Sequence, residues 1–283
     1  MSGFKAAYVL VHGAWHNHAV WNRVASILEA QGLAALSLDL PGAGINTIAP
    51  ASLGRRPFDP AAFAAERSPV AGVTQAERTA AVVALVQEAA ALGNGKVILV
   101  GHSAGGLTIS AVAEQVPELL RAVVYLSGFM LPKGMPLLAM LQHESMTSAL
   151  SSGLFVGETA AIGATRINVG SLDDAYRSLL KATFYGDVSE AEFAHVASQL
   201  HCDEPVATAV TPSDITAERF GTVPRHYIRC SEDCAIPLAC QDQMIAMVDA
   251  AIGGRTIVHT LTSGHSPFLS QPDALSKILI GLT

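Results

Sequence analysis

Residues 96–106, Lys-Val-Ile-Leu-Val-Gly-His-Ser-Ala-Gly-Gly, constrain the fold of this chain more than any other stretch. An apolar, β-branched run of strand length passes through two glycines flanking a serine and enters an Ala-rich apolar segment of helical character. Strand, sharp turn and helix with G-x-S-x-G at the turn is the arrangement of a nucleophile elbow. The serine at its tip takes a strained backbone conformation, so the residues two before and two after it crowd the strand and the helix. Gly101 and Gly105 bring no Cβ to clash there. Such a turn lifts the Ser103 hydroxyl above the sheet edge. It also leaves the Ala104 N–H unpaired at the positive end of the helix, where an oxyanion is stabilised. The plainer reading of the same pattern is a strand-to-helix turn with serine as a cap, and the rest of the chain must choose between them.

The 283 residues suit one large α/β domain, or a core domain with an inserted cap, and half of them are hydrophobic. A formal net charge of −7 without a basic block argues against nucleic acid and anionic membranes as partners. No apolar run approaches the ~18 residues of a membrane span. Met1 to Lys5 leads straight into a strand, without the charged and apolar regions of a signal peptide, so a cytoplasmic protein is expected. Cys202, Cys230, Cys234 and Cys240 contain no C-x-x-C pair and fit no common zinc spacing; buried or half-buried thiols are expected, with a Cys230–Cys234 or Cys234–Cys240 bridge the alternative. Nothing in the sequence calls for a metal or an organic cofactor.

Taken in order, the chain begins with an apolar strand at Ala7 to Val11, then His12-Gly13-Ala14-Trp15-His16. A helical pattern over Ala19 to Gln31 ends at Gly32, and Leu33 to Leu38 is the next strand, which together read as a parallel crossover. Residues 45–73 have no clear period and read as a long loop with a solvated surface at Arg55-Arg56 and Glu66-Arg67. Thr74 to Glu77 has capping-box spacing and opens a helix to about Leu92. After the serine turn and its helix, Ala122 to Leu126 is another strand. From about Met130 to Thr211 the strand–helix alternation stops, and helical pieces at Leu137 to Leu141, Asp173 to Ala182 and Ser189 to Leu200 suggest a cap. The expected division is therefore core 1–129, helical cap 130–211 and core 212–283. The core resumes with strands at Pro224 to Cys230 and Arg255 to Leu261, a helix over Leu238 to Ala251, and a last helix starting at Pro272.

A serine hydroxyl needs a base in hydrogen-bond reach, and the base needs an acid that sets its tautomer. In an elbow fold these follow in the order serine, acid, histidine, on loops after later strands. His265 follows the last strand, whereas His259 lies within it and His226, His195, His201 and His143 have no such placement. The loop after Cys230 offers Glu232 and Asp233; the loop after Leu126 has no carboxylate, only Ser127 and Gly128. The second oxyanion donor is expected from the first strand's loop, as the N–H of Ala14 paired with that of Ala104, with Gly13 and His16 as candidate substrate contacts. His12 is expected to shape that loop, and His102 to be structural and to face away from the serine.

These residues resemble the α/β-hydrolase superfamily, and within it the branch of plant methylesterases, hydroxynitrile lyases and related bacterial esterases. The resemblance rests on His12-Gly13-Ala14-Trp15-His16, Asp39-Leu40-Pro41-Gly42, Gly101 to Gly106, Glu232-Asp233 and Gly264-His265-Ser266-Pro267-Phe268, and loosely on Phe184-Tyr185-Gly186-Asp187. It implies a triad of Ser103, Asp233 and His265, with Asp233 rather than Glu232 as the acid. It also implies a mostly parallel eight-stranded sheet flanked by helices, with the cap after the sixth strand. The lyases of this branch carry a threonine and a lysine where this chain has Gly13 and Ser266, which favours an esterase. The expected activity is hydrolysis of a small to medium, largely apolar carboxylic ester through an acyl-enzyme. Cleavage of a lactone, an amide, a carbon–carbon bond or a cyanohydrin in the same fold, and ligand binding without turnover, are the alternatives. The partner expected is the small-molecule ester itself; a homodimer is left open.

Overall fold

A computed structural model describes residues 4–283 of the chain. The strands are β1 (Ala7–Val11), β2 (Ala34–Ser37), β3 (Val97–His102), β4 (Leu120–Leu126), β5 (Ala164–Arg166), β6 (Asp203–Pro205), β7 (Arg225–Cys230) and β8 (Ile257–Leu261). Six of them form one sheet in the order β2-β1-β3-β4-β7-β8, every neighbouring pair parallel. In the register, Val9 faces Leu36 on one side and Leu99 on the other.

Strands β1, β3 and β4 are buried at every position except Arg121, because helices cover both faces of the sheet, as parallel sheets require. Side-chain alternation sorts their residues. Val9, Val11, Leu99, Val123 and Tyr125 pack in the core cluster with Val86, Val112 and Met244. These come from helices Gln75–Leu92, Gly105–Gln115 and Leu238–Ile252. Tyr8, Leu10, Val100, Val124 and Leu126 pack on the other face with Val24, Leu28 and Leu275, from helices Asn22–Ala30 and Pro272–Ile280.

The helix at Gln75 opens with the expected capping box: the Thr74 hydroxyl accepts from the Glu77 N–H, and the Glu77 carboxylate accepts from the Thr74 N–H. Residues 45–73 are less irregular than the sequence suggests. Asp59 caps a short helix, Pro60–Ala65, accepting from the N–H groups of Ala61 and Ala62. Glu66 is not free in solvent but accepts from the N–H groups of Ala51 and Ser52, at 2.9 and 2.8 Å.

The eight-stranded sheet expected from the resemblance is corrected to six strands. The other two strands, β5 and β6, pair antiparallel with each other in the long excursion between β4 and β7. Their composition explains this. Each has only three residues, and their charged side chains, Arg166 on β5 and Asp203 and Glu204 on β6, suit a ribbon that pairs within itself. Arg166 of β5 instead donates from Nε and Nη2 to the Asp203 carboxylate of β6, at 2.6 and 2.7 Å, and both are buried. The excursion therefore leaves the core after its fourth strand, not its sixth. It contains helices Leu137–Leu141, Asp174–Phe184 and Glu190–Ala197. All four cysteines are free, with Cys234 half-buried and the other three buried.

Candidate functional site

The carboxyl ends of β1, β3, β4, β7 and β8 converge on one crevice, where open parallel sheets bind their ligands. Three non-glycine residues with positive φ lie there: Trp15 (59°), Ser103 (52°) and Ser127 (36°). Each is a strained conformation that persists only where its surroundings hold it. Around Ser103 those surroundings are explicit. Its N–H donates to the Leu126 carbonyl at 3.2 Å, and its own carbonyl accepts from Gly106 and Phe129, both at 3.0 Å. A Cβ on Gly101 would lie 2.9 Å from the Gly105 carbonyl oxygen, and one on Gly105 would lie 2.6 Å from that of His12. The two glycines of the motif are thus required by close backbone approach, as the elbow reading expects.

Asp233 accepts four hydrogen bonds. The N–H groups of Ala235 and Ile236 reach Oδ1 at 2.7 and 2.8 Å, while His265 Nδ1, at 2.6 Å, and the Ser127 hydroxyl reach Oδ2. A carboxylate held this way can only accept, so His265 carries its proton on Nδ1 and keeps a lone pair on Nε2. Glu232, the neighbouring candidate, is exposed. Among the described residues Ser103 and His265 are not directly hydrogen-bonded.

The Ala14 and Ala104 N–H groups make no hydrogen bond among the described residues, and both alanines line the same cavity as Ser103. His12 sets the direction of the first donor. Its Nδ1–H donates to the Gly13 carbonyl at 2.8 Å, and its Nε2 accepts from the Leu40 N–H at 3.1 Å. The Gly13 carbonyl and the Ala14 N–H belong to one planar peptide, so holding one end aims the other. A Cβ on Gly13 would lie 2.7 Å from Ser103 Cβ, which leaves glycine as the residue that fits.

His16 is bonded at both ring nitrogens. Its Nδ1 donates to the Ala14 carbonyl at 2.6 Å and its Nε2 accepts from the Tyr185 hydroxyl at 2.6 Å. It is buried, and these two bonds tie the first loop to Tyr185. Burial drives the pKa of His16 down to about 3 and that of His12 to about 4, so both are neutral.

His102 does not simply face away. Its Nε2 donates to the His265 carbonyl at 2.9 Å, and the two rings lie 4.5 Å apart. Burial holds this imidazole neutral as well. Two other residues escaped the sequence reading. Ser127 donates to Asp233, as described. Asp187 accepts from the Gly264 N–H at 2.9 Å and from the Ser270 hydroxyl at 2.8 Å, tying the excursion to the loop that carries His265. Ser127 was visible only as a serine at a strand end; Asp187 had only its place in the weak Phe184-to-Asp187 match.

The cavity beside Ser103 has a volume of about 50 Å³, opens to solvent and is mostly apolar, with Trp15, Phe129, Leu137, Phe155, Phe184 and Ile236 in its wall. Among the described residues no group of three or more His, Cys, Asp or Glu side chains could hold a metal ion. No helix among them is long and apolar enough to cross a membrane.

A six-stranded parallel sheet with a strained serine turn after β3, an Asp–His pair from the loops after β7 and β8, and an excursion over its carboxyl edge is an alpha/beta hydrolase architecture. The chain belongs to the alpha/beta hydrolase family, whose family model matches residues 8–278. Among curated relatives, it is 27% identical over 275 residues to putative methylesterase 11, chloroplastic, of Arabidopsis thaliana, covering 96% of this chain and 63% of that one. It is 28% identical over 289 residues to salicylic acid-binding protein 2 of Nicotiana tabacum, covering 96% and 95%. The chain thus spans less than two thirds of the length of the chloroplastic relatives it first matches. Its fold superposes on a pyrethroid hydrolase from Sphingobium faniae with a TM-score of 0.74 at 21% identity, covering 98% of this chain and 96% of that one.

Proposed function

We propose that this chain is a serine carboxylic-ester hydrolase working through an acyl-enzyme on small to medium, largely apolar esters. The observation that carries the reading is the coincidence, in one apolar cavity, of a strained serine with two N–H groups that have no partner of their own. The Asp233–His265 pair completes it. In this reading Ser103 attacks the ester carbonyl as His265 Nε2 takes its proton. The Ala14 and Ala104 N–H groups receive the oxyanion, each donor being worth about 3 kcal/mol in the transition state. His265 then protonates the departing alcohol and activates the water that releases the acid. Asp233 keeps the proton on Nδ1 and steadies the imidazolium. Residues 130–211 act as the cap that closes the apolar side of the site.

The test is turnover of p-nitrophenyl esters of increasing chain length by the wild-type protein and by Ser103→Ala. Turnover lost in the variant, with its thermal melt unchanged, is expected. Retained turnover, or none on any ester by the wild type, would overturn the proposal.

A further inference from the structure

One wall of the apolar cavity carries a carboxylate. Glu204, on β6, is buried and lines the same space as Ser103, Ala14 and Ala104. Its register partner on β5 is Thr165. Directly opposed residues of an antiparallel ribbon put their side chains on one face, and both of these line the cavity.

Glu204 is held by three donors. Both Nη atoms of Arg78 reach it, Nη1 at Oε1 and Nη2 at Oε2 (3.3 Å), and the Thr208 hydroxyl reaches Oε1 at 2.7 Å. Burial alone would raise the carboxyl pKa, but the Arg78 guanidinium, together with His201 and the Thr208 hydroxyl, brings the group below the usual glutamate value. It is therefore a carboxylate. Oε1 has two partners and Oε2 one, whereas a carboxylate can accept about four hydrogen bonds. The Thr165 hydroxyl makes no hydrogen bond among the described residues. Both oxygens have a partner, and the acceptor capacity that remains is available to a donor on a ligand in the cavity. Arg78 already balances the charge, so a neutral donor suits the place better than a cation, and an anionic group would be repelled.

We propose that Glu204, with Thr165 beside it, is a specificity-determining residue: it selects esters whose cavity-buried group carries a neutral hydrogen-bond donor, such as a hydroxyl, over the same esters without it. This rests on the ester-hydrolase reading above.

The experiment compares kcat/KM for methyl 3-phenylpropanoate and its ortho-, meta- and para-hydroxy analogues, chosen because Trp15, Phe155 and Phe184 offer a phenyl ring apolar walls. The wild type should favour at least one hydroxy isomer about tenfold or more, the worth of one hydrogen bond to a charged acceptor. Glu204→Gln leaves Arg78 buried without its counter-charge, so the double variant Arg78→Met/Glu204→Leu is measured beside it, since apolar replacement of a whole buried pair is usually tolerated. There the preference should fall to within about twofold. A purely structural ion pair would shift all four esters together and leave the ratios as they were. Ratios near one in the wild type, or unchanged ratios in the double variant, overturn the proposal while the esterase reading stands. If no ester is turned over, the esterase reading fails first. The same ratio is then read as the affinities of Ser103→Ala for the four matching 3-arylpropanamides. A preference of about tenfold for a hydroxylated amide, lost when the double substitution is added, supports the role of Glu204; equal affinities, or no binding, overturn it.

Discussion

Ser103 keeps a φ of 52° because its own amide and carbonyl are taken by Leu126, Gly106 and Phe129. Its side chain is placed equally tightly by what stands next to it, which is the backbone of Gly13. Gly13→Ala would put a Cβ 2.7 Å from Ser103 Cβ and 3.0 Å from His102 Nδ1, so serine or loop must move. Misplacing a reacting group by about 1 Å costs on the order of a hundredfold in rate. We therefore expect kcat/KM to fall about a hundredfold with little change in melting temperature. Gly54→Ala, where nothing lies within 4 Å of the added Cβ, is the neutral comparison. Equal activity of the two variants would show that the contact is relieved without moving the nucleophile. Gly101 and Gly105 were legible because the G-x-S-x-G spacing announces them, and at Gly101 the crowding is local, from the Gly105 carbonyl; at Gly105 and Gly13 it comes from His12 and Ser103, which only the fold brings near. The hydrogen bonds of Ser127 and His102 were not legible, since their partners lie 106 and 163 residues away in the chain.

At the scale of elements, the loop bearing His265 is anchored from two sides. His102, at the end of β3, donates to the His265 carbonyl beneath the ring. Asp187, just beyond helix Asp174–Phe184, accepts from Gly264 and Ser270. The excursion thereby reaches the base through a side chain that touches no reacting atom, and Asp187 is a positioning residue. Asp187→Ala removes Oδ2, the one oxygen that accepts both bonds, and should lower kcat about tenfold, the worth of about one hydrogen bond to a carboxylate, with KM little changed. Asp187→Asn keeps one acceptor oxygen and should recover most of the loss. Equal kcat in all three proteins would show that the loop holds its place without this contact. The elements themselves were readable from the sequence at the capping box of Thr74 and at the helices over Leu137–Leu141 and Leu238–Ile252. The short helix Pro60–Ala65 was not, because six residues carry too little periodicity to stand out.

Across the whole molecule, the crevice is built on neutral buried imidazoles. His12 and His201 are driven by burial to pKa values of about 4, and His16 to about 3. In the unfolded chain each would titrate near 6.5. Between those values the unfolded state binds protons that the native state refuses, so stability is full above about pH 6.5 and falls as the pH drops toward 4. Each such group contributes a slope of up to about 1.4 kcal/mol per pH unit in that window. The melting temperature should fall steadily from pH 7 to pH 5, and His16→Gln should show a shallower fall than the wild type. A flat profile in the wild type would mean that these imidazoles protonate inside the fold. The sheet shows the same division of labour: six parallel strands, apolar at its centre, share it, while β5 and β6 pair with each other through Arg166 and Asp203.

Local order was determined by the sequence alone. Strand β3, its glycine-bounded serine turn and the helix after it follow from apolar runs, missing Cβ atoms and capping within a dozen residues. The places of Asp233 and His265 follow from chain order after β7 and β8. Tertiary structure decided what lies across the crevice. It turned His16 inward to Tyr185, brought Ser127 to Asp233 and Asp187 to the His265 loop, and set Glu204 of β6 against Arg78, 126 residues away, in the wall of the cavity. The reason is physical. A turn is specified by the sterics of neighbouring residues, whereas a buried polar contact depends on which distant donor and acceptor the packed layers leave within about 3 Å of each other.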